Sequence, residues 1–198
     1  MIIGICGLIG AGKDTAADYL VNFHEFKRES FAGTLKDAVA HVFGWDRELL
    51  EGRTKHAREW REQIDPWWSE RLNMPNLTPR LVLQQWGTEV CRKAFHDDIW
   101  IASLENKLRK SEDDVVISDC RFPNEITAIR NAGGRVIRIK RGPDPDWFTV
   151  AKTDSKLMPQ QWPEIHASEY SWAATEFDFI IENDSSIEEL YTQLKNLV

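Results

Sequence analysis

The chain has 198 residues, with 25 Lys+Arg against 32 Asp+Glu for a formal charge of -7, and is 42% hydrophobic with only three cysteines. At this length folding buries roughly 70% of the surface that the unfolded chain exposes, so a full core needs no disulfide or structural metal, and disorder and small-scaffold readings are excluded. The acidic total excludes an extended nucleic-acid track, which needs a basic face against the phosphates, and no run reaches the roughly 20 apolar residues that span a bilayer. Cys6, Cys91 and Cys120 lie far apart and form no C-x-x-C pair. That argues for a reducing compartment and against a zinc site. The first ten residues lack a basic segment and run into a glycine loop, so the expectation is a cytoplasmic chain without a signal peptide.

In chain order, Ile2 to Cys6 reads as a strand buried on both faces, and Thr15 to Phe23 as a helix with Ala16, Ala17, Leu20 and Val21 at helical spacing. Arg28 to Ala32 is a weak second strand. Leu35, Val39, Val42 and Phe43 mark a helix that ends near Gly44. Asp46 to Asn73 is charged, with Trp60, Trp67 and Trp68 interspersed, and is read as short helices forming a flap, about 45–76. Thr78-Pro79 supplies a cap and a first-turn proline for a helix whose buried side is Leu81, Leu83, Trp86 and Val90. A helix over Asp98 to Lys110, a strand over Val115 to Ile117, a helix over Asn124 to Ala132 and a strand over Val136 to Ile139 follow. The stretch Gly142 to Ser168 carries Pro143, Pro145 and Pro159, shows no sustained period, and predicts a mobile loop or lid. Phe179 to Ile181 and Ile187 to Leu197 read as a last strand and an amphipathic closing helix. Strands alternating with helices imply one α/β domain over 1–198. Its expected architecture is a doubly wound parallel sheet of about five strands, helices on both faces, and a flap and lid insertion.

Gly7-Leu8-Ile9-Gly10-Ala11-Gly12-Lys13 satisfies G-x-x-x-x-G-K between a predicted strand and a predicted helix. Glycines let successive backbone N–H groups and the helix N-terminus converge on one phosphate chain, and Lys13 adds a point charge near the β and γ oxygens. The segment reads as a nucleoside triphosphate site built from Gly7, Gly10, Ala11, Gly12, Lys13, Asp14 and Thr15. Asp14 stands where the pattern usually has Ser or Thr, and Thr15 follows it. Magnesium is therefore assigned to Asp14 or Thr15 without a choice between them.

In open α/β sheets ligands collect beyond the carboxyl ends of the strands, which nominates the residues after each apolar run. After Val115 to Ile117 come Ser118, Asp119, Cys120 and Arg121, then Asn124 and Glu125. Asp119 suits magnesium or acceptor positioning, and Arg121 suits charge on a transferred phosphoryl group; a local ion pair or helix cap is the competing reading. Lys36 and Asp37 follow the small pair Ala32-Gly33, where a solvated helix face competes with ligand approach. Gly87 is costly within a helix unless something packs closely on it, a base or sugar being one choice. Trp100 serves equally as a stacking platform or as core filler. Arg53, Arg58, Arg61 and Arg92 are further phosphate-clamp candidates, the first three in a mixed-charge run where a solvated face is the plainer reading. His166, Ser168 and Glu169 lack metal-ligand spacing.

Several blocks together resemble the phage-type deoxynucleoside monophosphate kinases, a family of P-loop phosphotransferases, and the likeness spans most of the chain. It rests on Gly12-Lys13-Asp14-Thr15, on Phe31 to Ala38, on Thr78-Pro79-Arg80 leading to Leu83 to Glu89, on Ile117 to Glu125, on His166 to Glu169 and on Ile181 to Asp184. The resemblance implies ATP, Mg2+ and a deoxynucleoside 5'-monophosphate, giving ADP and a deoxynucleoside diphosphate for DNA synthesis. By matching position the loop Gly7 to Thr15 would hold ATP, with Asn183 near adenine, while Lys36, Arg80, Gly87, Thr88, Trp100, Asp119, Arg121 and Glu125 would line the monophosphate pocket. Lys13, Asp119 and Arg121 would be catalytic. If phage-encoded, the enzyme would work in the host cytoplasm. Phosphomevalonate kinases and dephospho-coenzyme A kinases are the rival readings within the enzyme class. A nucleotide-binding switch predicts a guanine-reading N-K-x-D, and Ala151-Lys152-Thr153-Asp154 lacks the asparagine. A nucleic-acid-processing ATPase needs a basic track that is absent. A homodimer is left open, because nine tryptophans suit an interface or a core equally.

Overall fold

A computed structural model describes residues 1–198. In chain order its elements are β1 (Ile2–Cys6), α1 (Lys13–His24), β2 (Lys27–Glu29), α2 (Gly33–Phe43), α3 (Arg47–Glu51), α4 (Lys55–Arg61), α5 (Pro66–Arg71) and α6 (Pro79–Gln84), the last running on as a π-helical segment over Gln85–Lys93. Then follow α7 (Ile99–Leu108), β3 (Val115–Ile117), α8 (Pro123–Asn131), β4 (Arg135–Lys140), α9 (Trp147–Asp154), a 3-10 turn at Ser155–Leu157, α10 (Met158–Gln161), α11 (Ala167–Tyr170), β5 (Phe179–Glu182) and α12 (Ile187–Lys195). They form two compact units, Met1–Phe31 with Glu105–Val198, and Ala32–Leu104.

The first unit contains the sheet, in the order β2-β3-β1-β4-β5 with every pair parallel. Central β1 is flanked on both sides, Ile3 pairing with Val116 of β3 and with Arg135 of β4. Alternation along the strands sends Ile3, Ile5, Ile137, Ile139 and Ile181 to one face, where they pack with Ala16, Ala17 and Leu20 of α1 and Leu190 and Leu194 of α12. On the opposite face α8 packs against β1 and β4. The expected doubly wound parallel arrangement of five strands is therefore present. The second strand begins at Lys27 and ends at Glu29, short of Ala32, because its ladder partner β3 has only three residues to offer.

The segment read as a loop or lid, 142–168, is largely helical in the structure. Pro145 accepts the Phe148 amide at the start of α9, and Pro159 occupies the first turn of α10, so the prolines mark helix starts. Phe148, Ala151 and Met158 are buried, with Trp172 packed against Phe148 at 5.6 Å between ring centroids. Arg138 of β4 is also buried here, ion-paired to Asp144 and lying over the Phe148 ring at 4.3 Å.

The second unit extends well beyond the expected flap and has its own core of Leu35, Val39, Phe43, Leu50, Leu77 and Val82. Trp45, Trp60, Trp68, Trp86 and Trp100 pack around that core, which accounts for five of the nine tryptophans. The short helices arise because caps recur every few residues: the side chains of Asp46, Thr54, Asp65 and Thr78 accept first-turn amides of α3, α4, α5 and α6. Val90, expected on the buried side after Leu81, Leu83 and Trp86, is exposed. Widening from α to π geometry at Gln85 shifts the helical phase, and Val82 and Gly87, five apart, are the buried positions instead.

Lys36 and Arg47 converge on the Glu51 carboxylate at 2.7 and 2.6 Å, and Arg47 also reaches Asp37 at 2.7 Å. Burial of Glu51 works against its charge, yet hydrogen bonds from Lys36 and Arg47 and their positive charges outweigh it and bring its pKa from 4.5 to about 2. A folded-state pKa below the unfolded value stabilises above the unfolded pKa and ceases to do so as pH falls through the folded one. Glu51→Gln is accordingly expected to cost the protein on the order of 2–3 kcal/mol near neutrality. The difference from wild type should shrink between pH 4.5 and about 2, as followed by urea titrations across pH. Met158→Ala should lower stability by about 2–5 kcal/mol in the same assay, whereas a mobile lid would lose almost nothing.

Candidate active site

The turn after β1 is shaped by backbone that only glycine adopts without strain. Gly7 has φ 150° and Gly12 φ 101°, and a Cβ on Gly7 would run into the Ile139 carbonyl of β4 while one on Gly12 would meet the Asn183 side chain. Asn183, at the end of β5, donates its amide to the Ala11 carbonyl at 2.8 Å. The resemblance implies a place near adenine for Asn183, and in the structure its side chain braces the loop backbone. Lys13 opens α1 and folds back, its Nζ donating to the carbonyls of Gly7 at 2.7 Å and Leu8 at 2.8 Å. Burial lowers its pKa first and the positive charge of Arg121 second, with Glu169 and Asp14 acting the other way. The first-turn amides of α1 have no acceptor within the helix. Together these give a loop of backbone donors, a helix N-terminus and a partly desolvated ammonium, the set a phosphate chain requires.

Asp14 lies in that first turn with its carboxylate mostly exposed, accepting from Ser118 Oγ at 3.1 Å and lying 3.4 Å from Arg28, which also bonds Asp18 at 2.9 Å. Thr15 follows it, partly buried. Neither Arg28 nor Ser118 carried a role in the sequence reading; the strand-end rule nominates Ser118, and only tertiary placement reveals Arg28.

Beyond β3, the carboxylate of Asp119 accepts the Phe31 amide at 3.3 Å. Arg121 donates to Ser168 Oγ and Glu169 Oε1, each at 3.2 Å. His166 caps α11 by accepting the Ser168 amide at 3.2 Å, which fixes the turn that presents Ser168 and Glu169 to Arg121. The His166 to Glu169 block, which has no ligand spacing in sequence, thus holds an arginine. Glu125 is a correction to the expected monophosphate pocket: its buried carboxylate accepts the amides of Arg121 at 2.7 Å and Phe122 at 3.1 Å as the capping residue of α8. It shapes the turn bearing Arg121.

The remaining acceptor candidates, Lys36, Arg80, Gly87, Thr88 and Trp100, belong to the second unit. Lys36 is engaged by Glu51 as described. Gly87 is small because Leu35 Cδ2 would lie 2.8 Å from a Cβ there, so a neighbouring side chain occupies the space assigned to a base or sugar. Trp100 donates Nε1 to the Gly87 carbonyl at 2.9 Å and packs on the core of its unit, which makes it core in this structure. Thr88 is exposed on the π-helical segment, and Arg80, half exposed, lies 3.3 Å from Glu62. Cys6 and Cys120 are buried free thiols, and burial raises the pKa of Cys120 well above the ordinary thiol range. No helix is long and apolar enough to cross a membrane.

Residues 61–194 match the deoxynucleotide monophosphate kinase family. A protein of Acanthamoeba polyphaga mimivirus, provisionally named a deoxynucleotide monophosphate kinase, is 30% identical over 213 residues, covering 100% of this chain and 96% of the viral protein. The deoxynucleoside-5'-monophosphate kinase of Escherichia phage T5 is 27% identical over 179 residues, 66% of this chain and 72% of the phage enzyme. Among solved structures, shikimate kinase from Aquifex aeolicus vf5 aligns over 100% of this chain and 95% of its own at 11% identity and TM-score 0.47, too distant to bear on the acceptor. With the phosphate loop in place and more than half of its length matched, the chain belongs to the deoxynucleotide monophosphate kinase family.

Proposed function

We propose that the chain transfers the terminal phosphoryl group of ATP to a deoxynucleoside 5'-monophosphate, giving ADP and the diphosphate. The observation that carries this reading is the loop from Gly7 to Lys13, a backbone cradle with a partly desolvated ammonium at a helix N-terminus, in a chain of this family. Phosphoryl transfer asks for alignment and charge compensation more than for covalent chemistry, so no Ser or Cys nucleophile is required. The acceptor's phosphate is largely dianionic at neutral pH, with a second pKa of about 6, and needs no strong base.

Lys13 leaves the Gly7 and Leu8 carbonyls for the β and γ oxygens as the phosphate chain enters, and the anion restores the charge that burial disfavours. Arg121, held by Glu169 and Ser168, meets the charge spread over the transferring group, while Glu125 keeps its turn in place. Asp119 holds the Phe31 amide and orients the strand end. For magnesium, the exposed Asp14 carboxylate and the Thr15 hydroxyl are hard oxygen donors of the right kind, and three or more acidic, His or Cys groups are not gathered there, so phosphate oxygens and water would supply most of the shell. The ion, when bound, neutralises phosphate charge. Work in a reducing cytoplasm suits the three free thiols.

The acceptor is tested by mixing the protein with Mg-ATP and dAMP, dCMP, dGMP or dTMP in turn and following ADP release. Turnover with at least one is expected; activity on phosphomevalonate or dephospho-coenzyme A with none of the four rejects the reading. Lys13→Ala and Arg121→Ala should each lower kcat by roughly 10²–10³-fold with little change in urea midpoint. Glu169→Ala, which removes one of the two side-chain acceptors that hold the guanidinium, should lose about tenfold in kcat, with Glu169→Gln intermediate.

A further inference from the structure

Arg61 closes α4 and is partly buried, yet its guanidinium makes no hydrogen bond and no ion pair, and its Nε is sealed from solvent without a partner. The group lies flat on Gly52, where a Cβ would collide with its Cζ and Nη2. Gly52 is in the left-handed region at φ 72°, and Arg58 fixes the surrounding turn by donating to the carbonyls of Gly52 at 3.4 Å and Arg53 at 2.9 Å. The turn is thus built to seat a guanidinium, and no carboxylate of the second unit pairs with it directly.

The nearby carboxylates are committed elsewhere. Glu51 is taken by Lys36 at 2.7 Å and Arg47 at 2.6 Å, and Glu62 lies 3.3 Å from Arg80. Burial and then the positive charge of Arg80 work against the charge of Arg61, the carboxylates of Glu62 and Glu51 offset this in part, Arg58 adds to the repulsion, and the balance lowers its pKa. A protein with net charge -7 has carboxylates to spare, yet the two guanidinium groups share only the exposed Glu62, which pairs with Arg80 and reaches Arg61 through its charge alone, a poor architectural device. They become favourable when an anion arrives from outside. A phosphate monoester carries about -1.5 to -2 at neutral pH and three acceptor oxygens, enough to engage two planar forks at once.

We propose that Arg61, together with Arg80, forms an anion-binding pair in the second unit, and that its ligand is the 5'-phosphate of the deoxynucleotide acceptor. The identity of the ligand rests on the acceptor reading given above. Lys36, engaged by Glu51, then supports the unit, and Arg61 takes the phosphate.

The test varies dNMP and ATP separately in wild type, Arg61→Met and Arg61→Lys. Methionine keeps the unbranched stem over Gly52 and removes the charge. The KM for dNMP should rise at least tenfold in Arg61→Met and recover little in Arg61→Lys, which lacks the fork, while the KM for ATP stays within about twofold. An architectural arginine would destabilise on removal; here the urea midpoint of Arg61→Met without ligand should equal or exceed that of wild type, because a partly buried guanidinium without a hydrogen-bonding partner is gone. Arg80→Met should raise the KM for dNMP more modestly. An unchanged KM for dNMP, or a rise confined to ATP, overturns the inference while leaving the kinase reading intact. If wild type turns over no dNMP, that reading fails instead, and calorimetric titration of inorganic phosphate into Lys13→Ala protein with and without Arg61→Met decides the site. Weaker phosphate binding without Arg61 supports the anion pair, and equal binding removes it.

Discussion

The turn between β1 and α1 can follow its path only because two of its glycines lie where any side chain would strike the neighbouring strands' residues. The Ile139 carbonyl closes one side and Asn183 the other, so β4 and β5 together act as the mould in which the backbone amides of the loop are set. This close approach governs the rest of the first unit. Parallel pairing brings the ends of β1, β3, β4 and β5 to one edge, and residues past those ends meet the loop and the start of α1: Ser118 donates to Asp14, the charge of Arg121 bears on Lys13, and Asn183 braces Ala11.

Charge is handled differently at different places in the molecule. Around Glu51 three ion pairs among four side chains are made at 2.6 to 2.7 Å, and the carboxylate is held strongly ionised. At Lys13 the ammonium is satisfied only by two neutral carbonyls, and its charge is opposed by burial and by Arg121. At Arg61 even that partial satisfaction is missing. A matched network favours one fixed structure, and an unmatched cation favours a ligand. Lys13 and Arg61 are the two cations of this kind, while Arg121 is held between Glu169 and Ser168.

Small helices that would not persist alone carry much of this arrangement. The four-residue α11 is anchored by the His166 cap and by Tyr170, which is buried, and it delivers Ser168 and Glu169 to Arg121. The capping box of α8 spends a buried carboxylate on the two amides that turn the chain at Arg121. Capping interactions of about 1 kcal/mol are here used to aim side chains as much as to stabilise helices.

The sequence by itself determined the phosphate loop, the parallel sheet and the family blocks. Glycine spacing, apolar runs and strand-end polar residues are local signals whose geometry depends on few neighbours. Boundaries of most elements were legible within a few residues for the same reason. What only the tertiary structure decided is which polar groups are already spent. Lys36 reads as a ligand until Glu51 is seen beside it, Glu125 until two amides are found on its carboxylate, and Gly87 until Leu35 fills the space above it. Arg61 reads as a solvated charge until its burial and solitude appear. The helices of 142–168 were hidden because their buried residues show no single helical period: Phe148 packs against Arg138 of β4 and Trp172, and Met158 is buried in a separate short helix. Residue type and spacing specify what a group is capable of, but whether it is free to act depends on partners that are remote in the chain, and those are chosen only when the sheet and helices close around it.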